Sequence, residues 1–484
     1  MLFSSMAFLI LFLPITLAGY WLLRGYWKNI WLLIVSMVFY AWGEPKFVVV
    51  MAASIAINYL FGLAVDAVRE RRGLARLCLF SMAAVNLGLL GYFKYLNFFI
   101  ENLNRLAGRE ILAQTSIALP IGISFFTFQA MSYVIDVYRQ NGKVQKNILN
   151  VGLYIAFFPQ LIAGPIVRYE TFAWQIYNRK VTREGFSAGV KRFLYGFIKK
   201  VLVANTMAVM ADYMFSLPAR GTLTTGAAWL GALAYTFQIY FDFSAYSDMA
   251  IGLGKLFGFY FPENFNYPYM AASVTDFWRR WHISLSTWFR DYVYIPLGGS
   301  RVDKKWKLVR NLFVVWFLTG VWHGANWTFI CWGLFYFVLL TAEKLLRIPE
   351  RMAERGLGFL YRILTLLLVV LGWVLFRAGS LEEALIYIRA MFGISQSSPE
   401  VSWTLYYAWE YKWYFLAAIL GSTPLVKVLL DWADREEKAE AGGAAALGRE
   451  ALKLAIHGVV FLLFLLGASE LVIGAHNPFI YFNF

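Results

Sequence analysis

Apolar runs recur along the whole chain, near residues 6–23, 29–43, 46–65, 77–96, 117–137, 149–165, 192–215, 225–256, 311–345, 358–377, 412–430 and 452–474. A helix needs about 20 mostly apolar residues to cross a bilayer. In lipid only a helix or a closed barrel satisfies its own backbone. Runs of this length predict an all-α, polytopic transmembrane helical bundle of about 10–12 crossings, with re-entrant or interfacial helices among them. A water-soluble reading fails on composition, because hydrophobic residues make up 60% and charged residues only 15%. Soluble domains carry about 25% charge and have no means of burying so much apolar surface at this length. We read residues 1–484 as a single membrane domain, with 431–450 as a hydrophilic loop within it. The 149–165 run holds Pro159, Gly164 and Pro165, with Arg168 close behind, and is the candidate re-entrant segment.

The net charge of +15 would point a soluble protein toward nucleic acid. In a multi-pass protein it has a simpler meaning: Lys and Arg collect in cytoplasmic loops beside anionic lipid. Arg69, Arg71, Arg72 and Arg76 form one such group. Arg139, Lys143 and Lys146 form a second, and Arg301, Lys304, Lys305, Lys307 and Arg310 a third. The partner this implies is the lipid bilayer of a cell membrane, not nucleic acid. Cys78 and Cys331 lie in apolar stretches, so neither a disulfide framework nor a Cys-based metal site is expected. The first apolar run lacks a basic leader and a small-residue cleavage site, and reads as a retained span.

Ionisable groups at membrane depth are costly and mark functional sites by default. His323 stands in Leu318-Thr-Gly-Val-Trp-His-Gly-Ala-Asn-Trp-Thr328, between Gly320 and Gly324, which allow close approach of a backbone or ligand. Asn326, three residues on, would share its face in a helix and orient the imidazole. A neutral imidazole in a dry site can take a proton from an attacking hydroxyl. The alternative is a histidine bonded to a neighbouring helix. A second cluster, Asp276 to Gly299, carries Trp278, Trp281, Trp288, Arg279, Arg280, Arg290 and His282. It reads either as a holder for an anionic donor or as an interfacial helix with positive-inside charge. The third, Gln238 to Met249, holds Asp242, Tyr246, Ser244 and Asp248 at helical spacing, and a network joining helices is the favoured reading. Four scattered histidines give a metal site little support.

These motifs together resemble the membrane-bound O-acyltransferase family, and within it the alginate O-acetyltransferase branch. The resemblance runs from Leu2-Phe-Ser-Ser and Phe39-Tyr-Ala-Trp through Gly91-Tyr-Phe-Lys-Tyr, Leu119-Pro-Ile-Gly-Ile-Ser-Phe-Phe-Thr-Phe-Gln129 and Phe158-Pro-Gln-Leu-Ile-Ala-Gly-Pro165. It continues through Tyr240-Phe-Asp-Phe-Ser-Ala-Tyr-Ser-Asp, the Trp-Arg-Arg-Trp-His and Trp-His-Gly-Ala-Asn blocks, and Phe479-Ile-Tyr-Phe-Asn-Phe484. Ala245 stands where that branch usually has Gly.

The resemblance implies a helical bundle with a thinned centre, where a thioester donor and an external acceptor meet. It implies catalysis by His323 with His282 as a second functional histidine. It implies no bound cofactor, but acetyl-CoA or another acyl thioester as co-substrate. Arg279, Arg280 and Asn326 are the candidate donor-contacting residues, and Asn326 and Trp322 candidate oxyanion or orienting elements. The acceptor would be an alginate-like or other polysaccharide, reached directly or through an extracytoplasmic SGNH-type partner protein, at a bacterial cytoplasmic membrane. The alternatives are D-alanyl transfer to teichoic acid from a carrier protein and, more remotely, a transporter. A transporter would carry inverted repeats, and none is visible.

Overall fold

The computed structural model describes residues 1–394, 403–434, 444–474 and 476–480. Among them the chain is helical throughout its regular structure, with no strand. Among the described residues, six helices are long and apolar enough to cross a membrane: Val48–Ala67, Arg72–Ala107, Arg183–Arg220, Trp327–Leu346, Gly358–Arg377 and Glu450–Ile473. Lys412–Gly421 and Leu425–Trp432, bent by 69°, make a seventh if taken as one span.

That is fewer than the expected 10–12, and the reason is physical. Several apolar runs are broken or buried in protein instead of facing lipid. Trp27–Gly43 and Ile123–Arg139 stop at 17 residues, and Ala7–Leu22 is shorter still. The Thr225–Leu256 helix has 32 residues but carries Gln238, Asp242, Ser244 and Ser247, all buried by the surrounding helices. At the other extreme, only 6% of the apolar window of Glu450–Ile473 is buried in the protein, so lipid must cover the rest. The expected hydrophilic loop at 431–450 is also narrower. Leu425–Asp434 and Ala444–Ile473 are helical, and 435–443 lie outside the described residues. The last four residues of the Phe479–Phe484 motif lie outside them as well.

The 149–165 run breaks where its prolines and glycine predict. Ile148–Ala156 ends at Phe157 with extended ψ, and a single turn, Phe158–Leu161, follows. The interrupted backbone is satisfied by side chains, as it must be away from water. Gln129 and Gln160 both donate to the Tyr154 carbonyl, at 3.0 and 2.6 Å. The Phe158 N–H donates to the Ser36 hydroxyl at 3.1 Å.

Small residues set the closest helix crossings. A Cβ on Gly189 would lie 2.8 Å from the Gly252 carbonyl oxygen, and one on Gly252 would lie 2.7 Å from that of Gly189. Arg183–Ile198 therefore packs on Thr225–Leu256 at backbone contact. Side-chain pairs bind other helices: the amides of Asn58 and Asn86 exchange hydrogen bonds of 3.0 and 2.9 Å between Val48–Ala67 and Arg72–Leu90. Asp242 and Asp248 take the structural part. Asp242 pairs with buried Lys200 at 2.7 Å, and Asp248 bonds Arg192 and Lys199 at 2.8 and 2.7 Å.

Candidate active site

His323 is the last residue of the Lys305–His323 helix, because Gly324 is extended (φ −171°, ψ 157°). A sharp hairpin follows into Trp327–Leu346. It closes at Gly320, whose Cβ would lie 2.5 Å from the Phe329 carbonyl oxygen, and at Gly333, whose Cβ would lie 2.4 Å from that of Trp316. The expected backbone approach at Gly320 is therefore present. At Gly324 the neighbour is a side chain, the Phe329 ring.

Two residues from the Gly91–Tyr95 segment hold this helix end. Lys94 Nζ donates to the carbonyls of Trp322 (2.7 Å) and His323 (3.1 Å) and to the Ser124 hydroxyl (3.3 Å). The Tyr95 hydroxyl donates to the Val321 carbonyl. The last carbonyls of a helix lack intrahelical partners, and a cation placed there also meets the negative end of the helix dipole. Sequence reading gave Lys94 no role. Its signal was a lone lysine inside an otherwise apolar run.

The His323 ring is buried in an aromatic box. Trp322, Trp332 and Phe376 meet it edge-on at centroid distances of 4.9, 5.0 and 5.1 Å. Its Nδ1 has no hydrogen-bond partner among the described residues.

His282 links two short helices, Val274–Arg280 and Ile283–Phe289, with left-handed backbone (φ 45°, ψ 54°). Such a conformation is uncommon for a side-chain-bearing residue and persists only where neighbours enforce it. Here the segment 264–266 does so: the Ile283 N–H donates to the Asn264 carbonyl and the Asn266 N–H to the Arg280 carbonyl, both at 2.9 Å. The Asn264 side chain adds the decisive contact. Its Oδ1 accepts from the Ser284 N–H (3.1 Å) and hydroxyl (2.9 Å), while its Nδ2 donates to Ser247 Oγ at 3.0 Å. A backbone N–H can only donate, so the oxygen is fixed in place. His282 Nδ1, 3.2 Å from that same oxygen, is therefore the protonated nitrogen. Nε2 is left as a bare, buried acceptor without a partner among the described residues. Asn264 was also missed in the sequence, where it is one asparagine in a Pro- and Asn-rich stretch.

Trp322 stands between the two histidines, 4.9 Å from the His323 ring and 6.3 Å from that of His282. It belongs to an aromatic partition. Phe125 meets Trp322 edge-on at 5.3 Å, and Phe128 stacks on Trp288 at 3.9 Å and lies 5.7 Å from Trp322. Two cavities border it. One, of about 40 Å³, is lined by Lys94, Gly122, Ser124, Phe125, Trp322 and His323. The other, of about 470 Å³, is lined by residues that include Arg168, Tyr260, Ser284, Trp288 and Tyr292.

The remaining candidates lie elsewhere. Neither Arg279 nor Arg280 lines either cavity. Arg280 Nε pairs with Asp276 at 3.0 Å, and Arg279 is exposed. Asn326 caps the next helix: its Oδ1 accepts from the Thr328 N–H at 3.0 Å and its Nδ2 donates to the Gly379 carbonyl at 2.9 Å. The expected partnership with His323 assumed one continuous helix, and the break at Gly324 removes it.

Comparison with known proteins agrees with this architecture. The family model of MBOAT, the membrane-bound O-acyltransferase family, matches residues 143–354. A Pseudomonas aeruginosa protein named "Probable alginate O-acetylase AlgI" is 48% identical over 81% of this chain and 75% of its own. A Pseudomonas putida protein of the same name is 42% identical over the full length of both. The peptidoglycan O-acetyltransferase of Helicobacter pylori is 37% identical over 82% of this chain and 80% of its own. With helices that cross a membrane, two histidines buried beside one aromatic partition, and relatives of this identity along its length, the chain belongs to the membrane-bound O-acyltransferase family.

Proposed function

We propose that this enzyme moves an acetyl group from a thioester donor on the cytoplasmic side to a hydroxyl of a polysaccharide outside a bacterial cytoplasmic membrane, directly or through an SGNH-type partner protein. The observation that carries the reading is the pair of buried histidines at one partition, each with a ring nitrogen unpartnered among the described residues, with two cavities bordering that partition. The larger cavity opens on the face that gathers Arg139, Arg168 and Arg290, the sign expected of the cytoplasmic side. It is the entrance we assign to the donor. The smaller one, beside His323 and Lys94, is assigned to the acceptor.

His323 is the general base. It takes the proton of the acceptor hydroxyl as that oxygen attacks the thioester carbonyl. The new C–O bond forms, the C–S bond breaks, and the proton passes to the departing thiolate. His282, neutral with a bare Nε2, is the second proton-handling group. A thioester is already activated, so base and oxyanion stabilisation are all the protein must add. Buried Trp322, whose indole N–H has no acceptor among the described residues, is the donor best placed for the oxyanion. The alginate and peptidoglycan acetylation named for the relatives supports an acetylated glycan as product. The alternative, D-alanyl transfer to teichoic acid, has no residue here in its favour over acetyl transfer.

The test is His323→Ala in a host that makes the acetylated polymer. Loss of polymer acetyl groups, with normal membrane insertion, is expected. An unchanged acetyl content overturns the reading, and D-alanyl esters found by mass spectrometry would replace acetyl as the transferred group.

A further inference from the structure

The larger cavity, assigned above to the donor, carries arginines to which the catalytic reading gives no contact with the donor. Arg168 lines it. The Arg168 guanidinium pairs with Asp291, whose carboxylate also takes Arg290 Nε at 2.9 Å. A third guanidinium, that of Arg139, donates to the Asp291 carbonyl at 3.0 Å and lies over the Tyr292 ring at 5.2 Å. Among the described residues, Asp291 is the one carboxylate in ion-pair contact with Arg168 or Arg290. Asp136 lies behind, buried and bonded to the Tyr292 hydroxyl at 2.7 Å, and Glu170 is exposed in the first turn of Tyr169–Asn178. The Arg168 and Arg290 side chains are 51% and 56% exposed, so a ligand can reach them.

Beyond these arginines the walls are largely apolar, with Ile166, Phe261, Pro262 and Trp288. The lining also includes Ser284, bonded to the Asn264 oxygen that holds His282. A volume of about 470 Å³ is of the size that holds a small-molecule ligand. The lining suits a ligand with an anion beside Arg168 and an arm whose amides and hydroxyl can meet Ser132, Thr171, Ser284 and Thr287 among apolar walls.

We propose that Arg168, backed by Arg290 and Arg139, recognises the phosphate of a phosphopantetheine-type thioester donor, and that Asp291 is the resident carboxylate this phosphate displaces. The proposal rests on the thioester reading above and names the part of the donor that is recognised. An exposed ion pair is a weak contact, whereas the phosphodiester or diphosphate of such a donor offers its non-bridging oxygens to guanidinium forks in a geometrically matched, charge-assisted bond. Arginine is the residue suited to that exchange.

The experiment measures binding of coenzyme A, 4′-phosphopantetheine, pantetheine and a phosphopantetheinylated carrier protein to the full chain in nanodiscs. Arg168→Gln is expected to weaken the phosphorylated ligands by about tenfold and to leave pantetheine unchanged. Asp291→Asn is expected to tighten the phosphorylated ligands and leave pantetheine alone, which a merely structural ion pair would not do. Tighter binding of coenzyme A than of the carrier protein identifies the free coenzyme as source, and the reverse identifies the carrier; either supports the site if Arg168→Gln weakens it. If both variants bind coenzyme A and the carrier like wild type while His323-dependent acetyl transfer persists, the arginine site is wrong and the acyl-transfer reading stands. If no phosphorylated ligand binds wild type and acetyl transfer is also absent, both fall.

Discussion

His282 Nδ1 lies 3.2 Å from the Asn264 Oδ1, an oxygen that also takes both donors of Ser284. One amide thereby sets the tautomer of the imidazole and anchors the turn that carries it. Asn264→Ala frees the tautomer and leaves the Ser284 N–H buried without its acceptor. We expect transfer to fall by about a hundredfold, the lower end of what a positioned acid–base group contributes. Asn264→Asp keeps an oxygen acceptor and should retain more activity than the alanine variant. Transfer rates of purified, monodisperse protein check this, and a normal rate for Asn264→Ala would remove Asn264 from the site.

Lys94 has a different signature. It is a cation in an apolar surrounding that holds the Trp322 and His323 carbonyls. Lys94→Met fills much the same volume and removes the desolvation cost of the ammonium, so thermal stability should change little. The helix end, and with it the His323 ring, loses its fixed position. Transfer should therefore fall by about tenfold or more while the unfolding temperature stays close to wild type. Tyr95→Phe, which removes one hydrogen bond to Val321, should cost about 1 kcal/mol. Paired activity and thermal-unfolding measurements separate the two effects.

The sequence marked His323 because an imidazole in an apolar run is costly wherever it points, and His282 only through the family resemblance. It could not mark what holds them. The link between Lys94 and His323 spans 229 positions, and Asn264 reaches His282 across 18, through a turn whose left-handed φ leaves no periodic trace. Asn326 shows the converse error. Three residues from His323, it reads as a same-face partner only while the helix continues, and Gly324 ends that helix. Fewer helices pass a test of length and apolarity than the 10–12 runs read from the sequence, for a related reason. Hydropathy reports that a segment avoids water, not whether protein or lipid shields it. Ile123–Arg139, buried along nearly its whole length, and Val48–Ala67, partly open to lipid, look alike in the sequence.

Glu343 ties the helix ahead of His282 to the bundle. Its carboxylate, 3% exposed, accepts from the N–H groups of Val274 and Thr275 (both 2.8 Å), the Thr275 hydroxyl (2.5 Å) and the Tyr361 hydroxyl (2.6 Å). An amide at this position would turn an NH₂ toward donors, so Glu343→Gln is expected to lose about 1–3 kcal/mol per donor left unmet. Tyr361→Phe, which removes one donor and creates no mismatch, should cost about 1 kcal/mol. If denaturation in detergent shows Glu343→Gln as stable as wild type, the carboxylate is not holding this helix.

Lys200 and Asp242 are the most enclosed ion pair among the described residues, at 2.7 Å with side chains 3% and 2% exposed. Each also holds the C-terminal segment: Lys200 Nζ donates to the Pro478 carbonyl, and the Ile480 N–H donates to Asp242 Oδ2 at 2.8 Å. Removing one charge strands the other where water cannot reach it. Lys200→Met and Asp242→Leu should therefore each destabilise by about 3–5 kcal/mol. The double variant removes both desolvation costs along with the attraction, and should be more stable than either single variant. The Ile480 amide separates stability from tethering. Its hydrogen exchange should quicken in Asp242→Leu and in the double variant, where its acceptor is gone, even if the double variant regains wild-type unfolding. Additive losses in the double variant, or protection of Ile480 in both, would mean that the pair and the tail contact act independently.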